Sequence, residues 1–77
     1  MKKSELKANV MYPISMLNNV FTQEEINKYR NSYSVSDSDE YFHYSEEDDI
    51  LETCNYEDVI RYNEGIEEKD KFIFYKE

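Results

Sequence analysis

Residues 22–45 read TQEEINKYRNSYSVSDSDEYFHYS, and the spacing of their apolar side chains changes along the stretch. Thr22 and Glu25 have the form of a capping box, in which a hydroxyl and a carboxylate bond each other's backbone amides at a helix start. Ile26 and Tyr29 then recur at the spacing of one helix face. The first part of the stretch therefore predicts a helix that begins after Thr22 and ends ahead of the serine-rich segment.

The second part of the stretch changes to alternation, which is the period of a β-strand. Tyr33 and Val35 share one parity, and residues 41–44 alternate in the same way. The serines and aspartates at 36–39 favour a turn, since their side chains bond nearby backbone groups. We therefore expect a β-hairpin in which residues 33–36 pair with residues 40–45.

The N-terminal apolar segment, residues 5–20, is compatible with two structures. Pro13 interrupts any single helix and biases Tyr12 toward an extended backbone. Residues 8–12 would then form a short strand, or Pro13 would begin a helix over residues 14–19, because proline is favoured at a helix start. We favour the helix after Pro13.

The C-terminal part of the chain alternates acidic segments with short regular elements. Residues 46–53 are four acids followed by a strand-like ILET sequence. Asn55 is a suitable N-cap for a helix over residues 56–63, and Gly65 would stop that helix. Three apolar or aromatic residues of this helix would pack inward, namely Val59, Ile60 and Tyr62. Residues 71–76, KFIFYK, have the composition of a strand with Phe side chains on one face.

Helices and strands in this order predict an α+β fold, with two or three short helices and a small antiparallel sheet in a single domain, residues 1–77. Twelve aromatic residues, with one Gly and one Pro, argue against disorder despite a net charge of −9. Cys54 is the only cysteine, which excludes an internal disulfide. We expect dimerisation or partner binding to offset the self-repulsion of so small an acidic domain.

The charge of the chain is concentrated in residues 37–70, hereafter the acidic half. This half contains fourteen acidic residues against two basic ones, a net of −12, whereas the apolar, helical residues 1–36 carry a net of +2. Solubility alone does not require such a surplus, so a merely solvated acidic face is the weaker explanation. The asymmetry predicts a positively charged partner and electrostatically steered association.

Enzyme and metal chemistry have little support in these residues. The single His and the single Cys stand eleven positions apart, and one glycine does not make a phosphate-binding loop. Asp37 and Asp39 resemble the start of an EF-hand loop, but Phe42 stands where that loop requires Gly. We predict that the protein is not an enzyme and has no cofactor and no metal site. The chain has no apolar run of about 20 residues and no signal-peptide pattern, which predicts a cytoplasmic protein without membrane contact.

The spacing of the acids suits imitation of DNA. DNA has one phosphate per about 3.4 Å of axial rise on each strand, and a β-strand advances about 3.3–3.4 Å per residue. If Asp37 and Asp39, or Glu46 and Asp48, lie along strand edges, their carboxylates are about 6.8 Å apart. Acids at the start of the helix over 56–63 and in the following loop would extend that line.

In size, acidity and aromatic content the chain resembles the small phage-encoded proteins that mimic DNA to disable host or defence factors. The resemblance is compositional and covers mainly the acidic half, because these proteins share no fold and no signature motif. It implies an inhibitor, often a homodimer, that occupies the basic groove of a bacterial DNA-binding protein such as the nucleoid protein HU or a defence nuclease. Such a protein would bind its partner directly and would not bind nucleic acid.

The candidate partner-binding residues are acids of this half, with the binding energy spread over many of them. They are Asp37, Asp39, Glu40, Glu46, Glu47, Asp48, Asp49, Glu52, Glu57, Asp58, Glu64, Glu67 and Glu68. The alternative is a small adaptor or antitoxin-like module that docks through the apolar segment 10–21. Binding by that segment would persist at high salt, whereas binding by the acids would not.

Overall fold

A computed structural model describes residues 1–32 and 35–76 of the chain. Its helices and strands are β1 (Val10–Pro13), α1 (Leu17–Val20), α2 (Gln23–Arg30), β2 (Tyr41–Ser45), β3 (Ile50–Cys54), α3 (Tyr56–Asn63) and β4 (Ile73–Phe74). Short 3-10 helices lie at Lys3–Glu5, Ile14–Met16 and Glu68–Asp70. The fold is α+β, as predicted from the order of the elements.

The four strands form one sheet in the order β3-β2-β1-β4. β2 is antiparallel to both β1 and β3, whereas β4 is parallel to β1. The sheet is therefore mixed, and not antiparallel as expected. A parallel neighbour needs a long crossover connection, and here α3 lies in the segment that brings the chain back to β1.

One face of the sheet packs against α1 and α2. Tyr12, Phe42 and Tyr44 point into this layer and are 0–3% exposed. The ring of Phe21 makes edge-to-face contacts with Tyr29, Phe42 and Tyr44 at centroid distances of 5.3–6.3 Å. Such aromatic pairs add about 0.5–1.5 kcal/mol each beyond their buried area, so this cluster anchors both helices on the sheet.

The opposite face of the sheet is covered by α3 and the C-terminal segment. Phe72 packs on His43 with ring centroids 4.8 Å apart, and Phe74 packs on Tyr41 at 4.9 Å. Val59 of α3 is 2% exposed in the same layer. Phe72 and Phe74 share one face, as the KFIFYK sequence predicted, although only Ile73–Phe74 pairs as a strand.

The prediction that residues 33–36 pair with residues 40–45 in a hairpin is wrong. β2 pairs with β3 in register from Tyr41 opposite Cys54 onward, and its other edge pairs with β1. Residues 33 and 34 lie outside the described residues, and residues 35 and 36 are not in a strand. The turn expected at 36–39 does occur, closed by a 3.3 Å bond from the Asp39 amide to the Ser36 carbonyl.

The helices begin where their capping residues predicted. The Glu25 amide donates to the Thr22 hydroxyl at 3.2 Å, and the Thr22 amide donates to the Glu25 carboxylate at 3.0 Å. α3 begins directly after Asn55, as expected. Both structures considered for the N-terminal segment are present, because β1 ends at Pro13 and a 3-10 turn followed by α1 continues from it.

Candidate partner-binding surface

The thirteen predicted partner-binding acids lie at the two ends of the β2–β3 hairpin, on β3, and on and after α3. Glu46 to Asp49 form the loop that joins β2 to β3, and Asp37, Asp39 and Glu40 precede β2 at the opposite end. The length of the two five-residue strands separates these ends by about 14 Å. Glu52 lies on β3, and the remaining acids are Glu57, Asp58, Glu64, Glu67 and Glu68.

The strand-edge spacing expected for the acids at positions i and i+2 does not occur. Asp37 and Asp39 lie in the turn before β2, and Glu46 and Asp48 lie in the hairpin loop. Acidic residues are poor strand formers and are favoured in turns, so runs of them end strands instead of extending them. The regular repeat of about 6.8 Å is therefore replaced by charge clusters at the strand ends.

Most acids of the acidic half have no cationic partner. Within the described residues, four of the fourteen pair with Lys or Arg, and ten do not. The four pairs are Asp37 with Arg30, Asp49 with Lys28, Glu67 with Lys69 and Glu68 with Lys71. Much of the negative charge therefore remains unneutralised at the surface.

Asp49 differs from the other loop acids because it joins the hairpin loop to α2. Its carboxylate accepts hydrogen bonds from the hydroxyls of Tyr29 and Tyr44 and from Lys28 Nζ, the last two at 3.1 and 3.2 Å. These bonds lower the pKa of Asp49, and the bond from Tyr29 has the largest effect. The backbone of Asp49 has a φ of 51°, a left-handed conformation that Asp tolerates better than most residues. Its role here is to fix the loop.

Three acids gather around Cys54, where β3 leads into α3. Thr53 donates its hydroxyl hydrogen to Asp39, and the Asn55 amide donates to Asp58 at 3.3 Å. Burial, with the charges of Asp39, Asp58 and Glu52, raises the pKa of Cys54 to about 11. Cys54 is half-buried, and its thiol is protonated and unreactive near neutral pH.

His43 lies opposite Glu52 in the β2–β3 ladder, with its Nε2 atom 3.4 Å from a Glu52 oxygen. An acidic neighbour by itself raises the pKa of a histidine. Burial instead lowers the pKa of His43, and the nearby Glu52 carboxylate opposes the shift only in part. The imidazole is therefore neutral near pH 7 and does not neutralise Glu52.

A cleft of about 330 Å³ opens between β3, α3 and the C-terminal segment. Its apolar walls include Met11, Val59 and Phe72, and Tyr62 forms part of its lining. Glu52 and Asp58 place two carboxylates in it. None of the described residues that line this cleft is a Lys or an Arg. No sequence signal indicated the cleft, because its residues come from β1, β2, β3, α3 and the C-terminal segment.

The outer side of α3 is more exposed than predicted. Val59, Ile60 and Tyr62 were expected to pack inward, but Ile60 is 39% exposed and Tyr62 is 52% exposed. Ile60 directly follows Val59 and therefore points to another side of the helix, whereas Tyr62, three positions after Val59, lies at the border of the inward face. Tyr62 reaches back to Phe72, with ring centroids 5.2 Å apart, while its other side faces solvent.

No protein-family model, no curated protein and no solved structure matches this chain. Across residues 1–32 and 35–76, no group of three or more His, Cys, Asp or Glu side chains is arranged to hold a metal ion. The same part of the chain contains no helix that is long and apolar enough to cross a membrane. Function is therefore inferred from the charge and geometry of the chain's own residues.

Proposed function

We propose that this protein is a DNA mimic that inhibits a bacterial DNA-binding protein, such as the nucleoid protein HU or a defence nuclease. It would present its carboxylates to the basic groove of that protein in the cytoplasm and exclude DNA. The observation that carries the proposal is that ten of the fourteen acids in residues 37–70 have no Lys or Arg partner within the described residues. A groove of Lys and Arg side chains would supply the missing partners.

The positions of these acids support the proposal. The exposed loop acids at 46–48 and the exposed Glu40 lie at opposite ends of the β2–β3 hairpin, about 14 Å apart. That distance corresponds to about four phosphates along one DNA strand. A basic groove that follows a DNA backbone would therefore meet negative charge at both ends of the hairpin.

The hairpin loop is also held in place before any partner binds. Asp49 ties the loop to α2 through two tyrosine hydroxyls and Lys28. A surface that is already ordered loses less conformational entropy on association than a flexible acidic tail. The loop acids Glu46, Glu47 and Asp48 are thus displayed on a fixed support.

Docking through the apolar segment 10–21 is less well supported. Five side chains of that segment are at most 7% exposed because they pack against the sheet and helices, namely those of Val10, Met11, Tyr12, Leu17 and Phe21. A partner would have to unfold the core to reach them. The acids, in contrast, are accessible as they stand. The homodimer expected from the sequence stays a prediction.

Competition with DNA tests the proposal. Purified HU or a restriction endonuclease is bound to fluorescently labelled duplex DNA, and the protein is titrated in while fluorescence anisotropy reports the bound DNA. We expect release of DNA at about 50 mM NaCl and much weaker release at about 200 mM, because charge-driven association weakens as salt rises. If DNA is released from neither HU nor the restriction endonuclease at the lower salt, the proposal is overturned.

Charge-matched variants distinguish the effect of the hairpin-loop acids from the effect of the protein's net charge. Glu46→Gln combined with Glu47→Gln should weaken competition by roughly three- to tenfold, since two exposed charge pairs at about 0.3–0.7 kcal/mol each sum to about 0.6–1.4 kcal/mol. The control is Glu5→Gln combined with Glu24→Gln, which removes the same charge from the other half of the chain. We expect the control to stay within about twofold of the unmodified protein. Equal losses in both variants would contradict a localised binding surface.

A further inference from the structure

The cleft between β3 and α3 combines a half-exposed aromatic ring with two carboxylates. Tyr62 is 52% exposed and packs one side of its ring on Phe72. Phe72 in turn packs on His43 of β2, with centroids 4.8 Å apart. The ring of Tyr62 is thereby supported from behind by the sheet, and no described residue bonds to its hydroxyl.

The two carboxylates of the cleft are not neutralised by the protein. Among the described residues the ion-pair partner of Glu52 is His43, whose pKa is lowered by burial, so this neighbour is uncharged near pH 7. Asp58 accepts the Asn55 amide at 3.3 Å, which leaves its second oxygen for another donor. Both residues lack a Lys or Arg partner among the described residues, which makes the cleft a region of negative potential.

The shape of the cleft selects among cations. Its volume of about 330 Å³ admits one long side chain, and Met11 and Val59 offer apolar contact to a methylene stem. A planar guanidinium stacks on an aromatic ring and bonds carboxylates through several N–H groups, whereas an ammonium group does neither as well. Cations already lie over tyrosine rings elsewhere in this protein, for example Lys28 Nζ at 5.3 Å from the Tyr29 centroid.

We infer that this cleft receives an arginine side chain of the partner protein, with the guanidinium stacked on Tyr62 and bonded to Glu52 and Asp58. The inference rests on the proposed function and extends it, because it names arginine over lysine as the group that the acidic half recognises. The clusters at the hairpin ends supply general attraction, and the cleft supplies chemical selectivity.

Peptides of equal charge test the inference. An oligo-arginine peptide and an oligo-lysine peptide of the same length are titrated into the full chain at about 100 mM NaCl, with affinity measured by isothermal titration calorimetry. The unmodified protein should prefer oligo-arginine by roughly three- to tenfold. Tyr62→Leu, which keeps an apolar cover over Phe72, should lose most of that preference and bind oligo-lysine within about twofold of the unmodified protein.

Tyr56→Leu is the matched control. Tyr56 is 48% exposed on the same helix and stacks on Phe74, but it does not line the cleft. This variant should keep the arginine preference, and Tyr62→Phe should keep it as well because the ring remains. Glu52→Gln should reduce the preference more than Glu57→Gln, which removes an equal charge outside the cleft.

The outcomes distinguish the two proposals. If Tyr62→Leu keeps the full arginine preference with its circular dichroism spectrum unchanged, the cleft does not bind arginine, whereas DNA competition by the unmodified protein would still stand. Equal loss in Tyr56→Leu and Tyr62→Leu would also overturn the inference. If the unmodified protein binds neither peptide and releases no DNA, both the inference and the DNA mimic fail.

Discussion

His43 couples protonation to folding at the scale of a single residue. Its ring packs on Phe72, and burial lowers its pKa below the ordinary value of 6.5 more than Glu52 raises it. The unfolded chain therefore binds a proton more readily than the folded chain as the pH falls. The stability that the neutral ring contributes is complete above pH 6.5 and is lost as the pH falls from there through the lower folded-state pKa.

We expect the free energy of unfolding of the unmodified protein to fall relative to that of His43→Gln between about pH 7 and about pH 5. Urea unfolding followed by circular dichroism at several pH values measures both proteins. The carboxylates titrate in both, so their contribution largely cancels in the difference. Parallel curves over this range would show that His43 titrates alike in the folded and unfolded chains.

Asp48 and Asp49 show what the sequence left undetermined at this scale. They are adjacent and chemically identical, and the sequence placed both on the partner-binding surface. In the structure both are exposed, but Asp49 is also bonded by Lys28 and Tyr29 of α2. Those partners stand about twenty positions earlier in the chain, so only tertiary packing distinguishes the two residues.

At the scale of elements, local signals were read correctly and distant pairings were not. The starts of α2 and α3 depend on residues three positions apart, such as Thr22 with Glu25, and both were predicted. The partner of β2 depends on register with β3 and β1, which alternation along one strand does not specify. The acidic run at 46–49 was predicted to be a loop that leads into a strand, and it does precede β3; that this loop closes a hairpin with β2 was not predicted.

Asn63 protects the β4 edge of the sheet. The amide of Ile73 donates to the carbonyl of Asn9, the residue before β1, and the amide of Tyr75 donates to the carbonyl of Met11 in β1, both at 2.9 Å. The peptide groups of Phe72 therefore face away from β1. Asn63 bonds both of them, its Nδ2 to the carbonyl and its Oδ1 to the amide, each at 3.0 Å. One side chain thus takes the place of a neighbouring strand.

Asn63→Ala should reduce the free energy of unfolding by about 1–3 kcal/mol, since it removes two hydrogen bonds to a partly buried backbone. It should also promote self-association, because unpaired strand edges are templates for other chains. Urea unfolding measures the first effect, and sedimentation velocity at low and high protein concentration measures the second. The control is Asn18→Ala on α1, where the asparagine is exposed and changes should be within about 0.5 kcal/mol. A variant as stable as this control would contradict the role of Asn63.

At the scale of the whole molecule, the net charge of −9 is held within extents of 35 × 24 × 23 Å. The Debye length is about 30 Å at 0.01 M salt and about 8 Å at 0.15 M, so charges across the protein repel one another only at low salt. The Lys and Arg ion pairs are largely exposed, for example 68% and 51% for the side chains of Lys28 and Asp49. Exposed pairs of this kind contribute about 0–1 kcal/mol each to stability. The repulsion among the unpaired acids therefore dominates the salt dependence of stability.

We therefore expect salt to act in opposite directions on folding and on binding. The thermal midpoint of the free protein should rise as NaCl increases from about 10 mM to about 150 mM, because screening relieves self-repulsion that compaction intensifies. Over the same range, competition with DNA should weaken, because screening also reduces attraction to a basic groove. Glu46→Gln combined with Glu47→Gln should raise the midpoint at low salt and flatten its salt dependence, since these acids have no cationic partner to lose. A midpoint that falls with added salt would mean that the ion pairs outweigh the unpaired acids, and the surplus of negative charge would then need no partner to offset it.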